Sequence, residues 1–527
     1  MTLLADSRSR VFVAVLLWKL LLLVFVWLPV PTNDSFFYDG GVVNLLLHGQ
    51  YFNPSLTINY PISGRELFSA YPPLSQGILL AWMTVFGTSE FAAIALHFVL
   101  FAVYALLVLA TLIRLNLPGW TIHLAGLFLL GITFHDRPDS VAHVCGMFAV
   151  YAWVRAGFAA PSGATDSQSS RWHWVMATAI VLCLAASLQI GATYGFLVWC
   201  GLFLARFATG QRIPVLPLGA MVIAPALVIG GFTLFWPRFC QGFVESASTA
   251  SFFTGLHTPG LMEVLKIVRS APGVLAAAGL VFLTPLPGLV LGGRFLPQDP
   301  AGIFGLTVLL AAIPVTLASL FAVSANTIAI AAYLQPVAAG ATAAWICSRL
   351  PDLRWRRVAG SLFLAGSALC SVRAIGLSTW GVACALDQSP REALDRAEAQ
   401  ITNTPAGGTV VLSGAFLYRA ARHENIRWIH SDHPGQFTTD AYPALAPLLS
   451  LQPDSLVLTQ FDYYRRYESS VQELMRHPEW ANIRVTQKAR VPAPDSIPSL
   501  RRVLQHVSWA PVIVEFDWKE PAGLRDH

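Results

Sequence analysis

The sequence predicts a polytopic α-helical membrane protein, with about eleven transmembrane helices followed by a soluble α/β domain at the C-terminus. Three observations predict it. Of 527 residues, 55% are hydrophobic and only 12% charged, with mean hydropathy +0.57, whereas soluble domains carry about a quarter charged residues. Apolar runs of helix length recur along the first 380 residues or so, as a bilayer that offers no partners to backbone polar groups demands. From about Asp387 the pattern changes to short alternating helix-like and strand-like runs broken by Gly and Pro.

The runs fall at 11–30, 91–113, 119–134, 140–157, 173–190, 192–209, 214–236, 271–292, 302–323, 326–347 and 358–378. A β-barrel, built from short alternating segments, is excluded. The first run carries Lys19 and is longer than the apolar core of a cleavable signal. Lys19 lies about 13 Å along that helix, so it needs a partner or a wet cavity. A shorter apolar stretch, 72–87, opens with Pro72 and Pro73 and reads as non-spanning. Alternation then gathers Arg8, Arg10, Arg114, Arg155, Arg171, Arg206, Arg212, Arg294, Arg349, Arg354, Arg356 and Arg357 on one side. By the positive-inside rule that side is the cytoplasm.

The net charge of +5 thus reports topology, and no nucleic-acid partner is implied. The outer face receives loops 31–90, 135–139 and 236–270, together with the tail. The expected organisation is a membrane module over 1–384 and an outer α/β domain over 385–527, in a bacterial inner membrane with a cytoplasmic N-terminus and a periplasmic tail. In the tail, 391–400 reads as helix and 409–412, 426–429 and 455–458 as strands. No P-loop, dinucleotide fingerprint or internal repeat is present. The seven cysteines have no metal-type spacing.

Candidate chemistry lies in the outer loops. The first, about 60 residues long, is of a length that is usually functional; it carries Asp34 and Asp39 just past the membrane edge, beside Phe36, Phe37 and Tyr38. The second, His135-Asp136-Arg137-Pro138-Asp139, sets four ionisable groups between two apolar spans, a density that is costly near lipid. Alternatively, Pro138 and Asp139 suit the first turn of a helix. Histidines 97, 123 and 143 read as satisfied structural residues.

These features, in order and spacing, resemble the GT-C glycosyltransferases, in the branch of the protein O-mannosyltransferases and the lipid A aminoarabinose transferase. The matching residues are Asp34 with Tyr38, Gly49 with Tyr51, Tyr71-Pro72-Pro73-Leu74 before Phe86-Gly87, Arg137 with Asp139, and Tyr333-Leu334-Gln335-Pro336. Two positions depart from the pattern: Ser35 stands where relatives carry a second acid, and no Lys or Arg adjoins Tyr333.

The resemblance implies a donor sugar on a polyprenyl phosphate drawn from the membrane lipids. The sugar passes with inversion to a lipid, glycan or protein acceptor of the cell envelope. It implies Asp34, or alternatively Asp39, as general base. Arg65 and Arg137 are expected on the leaving phosphate, with Lys266 and Arg269 either assisting or meeting lipid headgroups. Asp139, Tyr38 and Tyr71 are expected to bind substrate. No cofactor is required, although an acid in each of two outer loops leaves room for a divalent ion. A lipid-linked sugar transporter or a non-catalytic scaffold is the competing class.

Overall fold

The computed structural model describes residues 9–32, 34–51, 74–132, 134, 139–157, 166–209, 213–235, 300, 302–308, 333–334, 336–341, 343–345, 347, 350, 352–431, 446–487 and 508–519. Apolar helices fill its first part: α1 (Arg10–Val26), α2 (Asp34–Tyr38), α3 (Gly40–His48), α4 (Leu74–Phe86), α5 (Glu90–Arg114), α6 (Gly119–Gly131), α7 (Asp139–Gly157), α8 (Asp166–Ala186), α9 (Leu188–Thr209), α10 (Val215–Phe235) and α11 (Leu353–Asp387). Among the described residues, Glu90–Arg114 and Ile190–Ala208 are long and apolar enough to cross a membrane. The expected run 271–292, most of 302–323 and part of 326–347 lie outside the described residues.

Helix ends differ from the apolar runs for local reasons. α1 stops at Val26, with Trp27 in the left-handed region at φ 54° and Pro29 and Pro31, which lack an N–H, just beyond. α4 has 13 residues, about 20 Å, short of the ~30 Å hydrocarbon core. α5 is capped by Ser89, whose side chain accepts the Ala92 N–H, and it carries Glu90 in its first turn and Arg114 in its last. Both charges oppose the helix dipole favourably. α11 runs 35 residues, about 52 Å, well past the expected end at 378, because nothing between Ser378 and Asp387 breaks a helix.

Close packing in the bundle depends on small residues facing large ones. α7 lies at its centre, with Ala149, Val150 and Trp153 fully buried. Gly201 of α9 leaves space for the Trp153 ring, and Gly146 of α7 for the Tyr194 ring; a methyl group at either would overlap its neighbour. Small residues let helices approach where lipid supplies no hydrophobic drive. Gly201→Ala is therefore expected to cost about 1 kcal/mol by overpacking. Its check is a lowered melting temperature in detergent, partly restored by Trp153→Phe.

The second part begins at α12 (Pro390–Thr402), opened by a capping box in which Ser389 and Glu392 exchange hydrogen bonds. Five strands follow, β1 (Thr409–Leu412), β2 (Arg427–His430), β3 (Ser455–Thr459), β4 (Ala481–Gln487) and β5 (Pro511–Trp518), with α13 (Leu417–Ala420) after β1, α14 (Ala446–Leu451) before β3 and α15 (Glu468–Met475) before β4. The sheet order is β2-β1-β3-β5-β4. β1 pairs in parallel with β2 and β3, and β5 antiparallel with β3 and β4. Three strands match the expected positions to within a residue; β4 and β5 were not expected.

Both faces of β1 are covered, which is why it reads Thr-Val-Val-Leu without polar alternation. Val411, Leu456 and Leu458 pack with α14 and α15. Val410, Leu412 and Val457 join α12 and, in the same core cluster, Leu22, Val26, Val30 and Phe36 from the C-terminal end of α1 and the segment after it. Sheet and helical bundle therefore share one hydrophobic core at a seam.

Candidate functional site

The seam is built on the segment that follows α1. After Pro31, Thr32 Oγ1 accepts the Asp34 N–H at 3.1 Å, which opens α2. Asp34, at its first position, stays half-buried. The Asp39 N–H returns to the Ser35 carbonyl at 2.8 Å, and the Asp39 carbonyl accepts the Val43 N–H at 2.9 Å, so Asp39 joins α2 to α3. Gly49, at φ 72°, ends α3 in the left-handed conformation suited to glycine. Tyr51 then reaches the Gln76 side-chain oxygen on α4. The motif residues Gly49 and Tyr51 thus stop one helix and tie the loop to the next.

The α/β unit meets this loop at the carboxyl end of β1. The Ser35 hydroxyl lies 3.0 Å from the Gly414 carbonyl and 2.8 Å from that of Thr32. Gly414 sits so close that a methyl group would overlap the Thr32 carbonyl. Phe36 packs against His430, at 4.7 Å between ring centroids, and Trp428. The Trp509 indole donates to the Trp27 carbonyl at 3.1 Å. Tyr418 donates its hydroxyl to Asp39 Oδ2 at 2.7 Å.

Ion pairs flank these contacts. Arg419 meets Glu90 at 3.3 Å and also Glu398, while Arg422 lies 3.6 Å from Glu398. His48 lies 2.6 Å from the Glu424 carboxylate and 2.7 Å from the Ala421 carbonyl.

The two loop acids have different environments. Asp39 is 4% exposed. Burial pushes its carboxyl up to about 7, opposed by the Tyr418 hydrogen bond and reinforced by the nearby Asp34 charge. The folded protein therefore holds a proton here that the unfolded chain releases near the ordinary 3.8. Stability from this group falls as pH rises from about 4 to 7. Asp39→Asn is accordingly expected to raise the melting temperature at pH 8 and to leave it nearly unchanged at pH 4; equal shifts at both would refute the burial argument.

A second cluster surrounds the start of α7. Asp139 is its first residue and half-buried, as expected of an acid in the first turn. One turn on, His143 stacks on Tyr333 at 3.8 Å between centroids and lies 3.3 Å from the Tyr194 hydroxyl. Tyr104 donates to the Tyr333 carbonyl. The first turns of α7 and Tyr333, distant in sequence, thus meet around His143. Tyr104 and Tyr194 were missed in the sequence; their only signal there is a hydroxyl within an apolar helix.

Arg65, Tyr71, Arg137, Lys266 and Arg269 lie outside the described residues. Tyr38 closes α2 and is half-buried. Lys19 finds its partner in the Phe101 ring, 5.7 Å from ammonium to centroid. One expectation is corrected: His97, read as a satisfied structural residue, is buried with neither ring nitrogen hydrogen-bonded, because its neighbours on α5 are apolar. Among the described residues no group of three or more His, Cys, Asp or Glu is placed to hold a metal ion.

No protein-family model matches the chain, and no curated protein does. Solved structures do show likeness at low identity. ArnT from Cupriavidus metallidurans, solved bound to undecaprenyl phosphate, is 15% identical over 98% of this chain and 100% of its own, with a TM-score of 0.47. The archaeal oligosaccharyltransferase AglB from Archaeoglobus fulgidus, solved with an inhibitory peptide and a dolichol-phosphate, is 14% identical over 93% of this chain and 75% of its own, at 0.47. The oligosaccharyltransferase of the same organism complexed with Zn and sulfate is 14% identical over 90% and 72%, at 0.46.

Proposed function

We propose that this chain is an integral-membrane glycosyltransferase that moves a sugar from a polyprenyl-phosphate donor to a lipid, glycan or protein acceptor at the outer face of a bacterial inner membrane. The observation that carries the assignment of roles is the contrast between the two loop acids: Asp34 opens α2 with partial access to solvent, whereas Asp39 is buried and committed to Tyr418. A general base needs access to the acceptor hydroxyl, so Asp34 takes that role and Asp39 belongs to the seam.

The acceptor oxygen attacks the anomeric carbon while its proton passes to Asp34. The bond from that carbon to the phosphate oxygen breaks on the opposite face, which inverts the centre, and the phosphate departs with the electron pair. Its growing charge calls for guanidinium groups, which bind phosphate oxygens bidentately; Arg65 and Arg137 are assigned there, with Lys266 and Arg269 as further cations. Tyr38, Tyr71 and Asp139 are assigned to donor and sugar contacts. The α/β unit shares one core with the loop that carries Asp34, which supports the reading that both belong to the outer face, opposite a cytoplasmic N-terminus.

The test is transfer of radiolabelled sugar from a panel of polyprenyl-phosphate sugars in membranes holding the wild type, Asp34→Asn, Asp39→Asn or Arg137→Ala, with expression matched. The reading expects Asp34→Asn and Arg137→Ala to be inactive or nearly so and Asp39→Asn to lose no more than about tenfold. Activity in all three variants equal to the wild type would overturn it.

A further inference from the structure

Tyr418 stands 379 positions from Asp39 in sequence, in the single helical turn α13 that follows Gly414. Both partners of their hydrogen bond are buried, Tyr418 at 1% and Asp39 at 4% exposure. Asp39 is also the corner of the loop, its N–H bonded back to α2 and its carbonyl forward into α3. We propose that Tyr418 is a positioning residue for Asp34: by gripping Asp39 it fixes the α2–α3 corner and sets the charge beside the base. The inference rests on the reading of Asp34 as that base.

The mechanical half follows from connectivity. Asp34 and Asp39 bound a single helical turn, α2, whose far end meets Tyr418 at the Asp39 corner and whose near end is pinned by the Thr32–Ser35–Gly414 contacts. Loss of the Tyr418 hydroxyl releases the far end while leaving the near end in place. The electrostatic half follows from proximity, since the Asp34 charge acts on Asp39. A hydrogen bond to the ionised carboxylate favours that form, so Tyr418 promotes a negative Asp39 beside the base.

Among the described residues, Tyr418 from α13 and Asp34 from α2 act on Asp39, while along the seam Glu90 and Glu398 engage Arg419 and His48 engages Glu424.

The experiment uses the full chain in lipid nanodiscs, as wild type, Tyr418→Phe, Asp39→Asn and the double variant. Two readouts are taken: the pH profile of sugar transfer from pH 5 to 9, and hydrogen exchange of residues 35–43. In the wild type, kcat is expected to rise through an inflection near 7, the value burial gives Asp39. Tyr418→Phe moves that inflection to higher pH and lowers kcat at pH 7 by roughly tenfold, with KM within about twofold, and speeds exchange of 35–43 about tenfold. Asp39→Asn abolishes the inflection, and adding Tyr418→Phe changes nothing more.

An unshifted profile in Tyr418→Phe, additive losses in the double variant, or exchange unchanged from the wild type overturns the proposal. Full transfer by Asp34→Asn, measured alongside, overturns the base reading itself; exchange needs no substrate, so it judges the grip on Asp39 separately.

Discussion

Asp34→Asn is expected to lower sugar transfer by roughly 10²- to 10⁴-fold, the range that a positioned general base contributes, while donor KM changes by less than about threefold. The amide keeps the size of the carboxylate and its contact with solvent, so helix α2 should still form on Thr32. What disappears is the capacity to take the acceptor proton as the new bond forms. The loss should appear in kcat, because the missing interaction strengthens only as charge develops. Weaker nucleophiles with more acidic hydroxyls should lose less, since they need less help from a base. A kcat that is unchanged, or a loss confined to KM, would show that Asp34 binds the substrate without serving as a base.

The second large effect is expected at Gly414→Ala. The added methyl would overlap the Thr32 carbonyl and crowd Ser35 Oγ. These atoms belong largely to backbone anchored by the start of α2 and cannot rotate aside, in contrast to the ring that faces Gly201. The cost should reach the upper part of the about 1–3 kcal/mol typical of overpacking. The sheet, whose own core of Val411, Ile429, Leu456 and Leu458 lies on the far face, should survive. The seam should open instead, with Trp509 and Tyr418 losing Trp27 and Asp39. Trp509 fluorescence and protease access to the junction after α11 would report it. A variant with native fluorescence, protease resistance and activity would contradict the close packing at β1.

The membrane character was legible because it rests on composition and run length, which a bilayer imposes on every span. The parallel strands β1 and β3 were equally legible, since burial on both faces makes them short and largely apolar. β4 and β5 were less so. Ala481–Gln487 alternates Ile and Val with Asn, Arg and Thr, and Pro511–Trp518 mixes Glu515 and Asp517 into its run. Each gains its stability from antiparallel pairing with a partner more than twenty residues away. The extension of α11 to Asp387 went unread because Ser378, Thr379 and Gly381 dilute hydropathy without breaking helical geometry.

The candidate site was legible one residue at a time, not as an assembly. The sequence drew attention to Asp34 and Asp39 and left open which is the base. Burial and the contact with Tyr418 set the environment of Asp39 apart, and no periodicity in a single chain signals a contact across 379 positions. The cluster of His143, Tyr194, Tyr104 and Tyr333 was hidden for the same reason, since each residue alone looks like ordinary bundle packing. Asp139, by contrast, lies where a first-turn acid is expected.

The proposed glycosyltransferase must break the bond between sugar and polyprenyl phosphate. The most direct measurement reconstitutes the purified full-length protein in liposomes containing a doubly labelled polyprenyl-phosphate sugar, with envelope lipid and protein acceptors supplied. It then follows the two labels separately. The account predicts that the sugar label moves to an acceptor with equal release of free polyprenyl phosphate, and that both events are lost in Asp34→Asn. Movement of the intact donor between leaflets with no cleavage would contradict it and would identify a transporter.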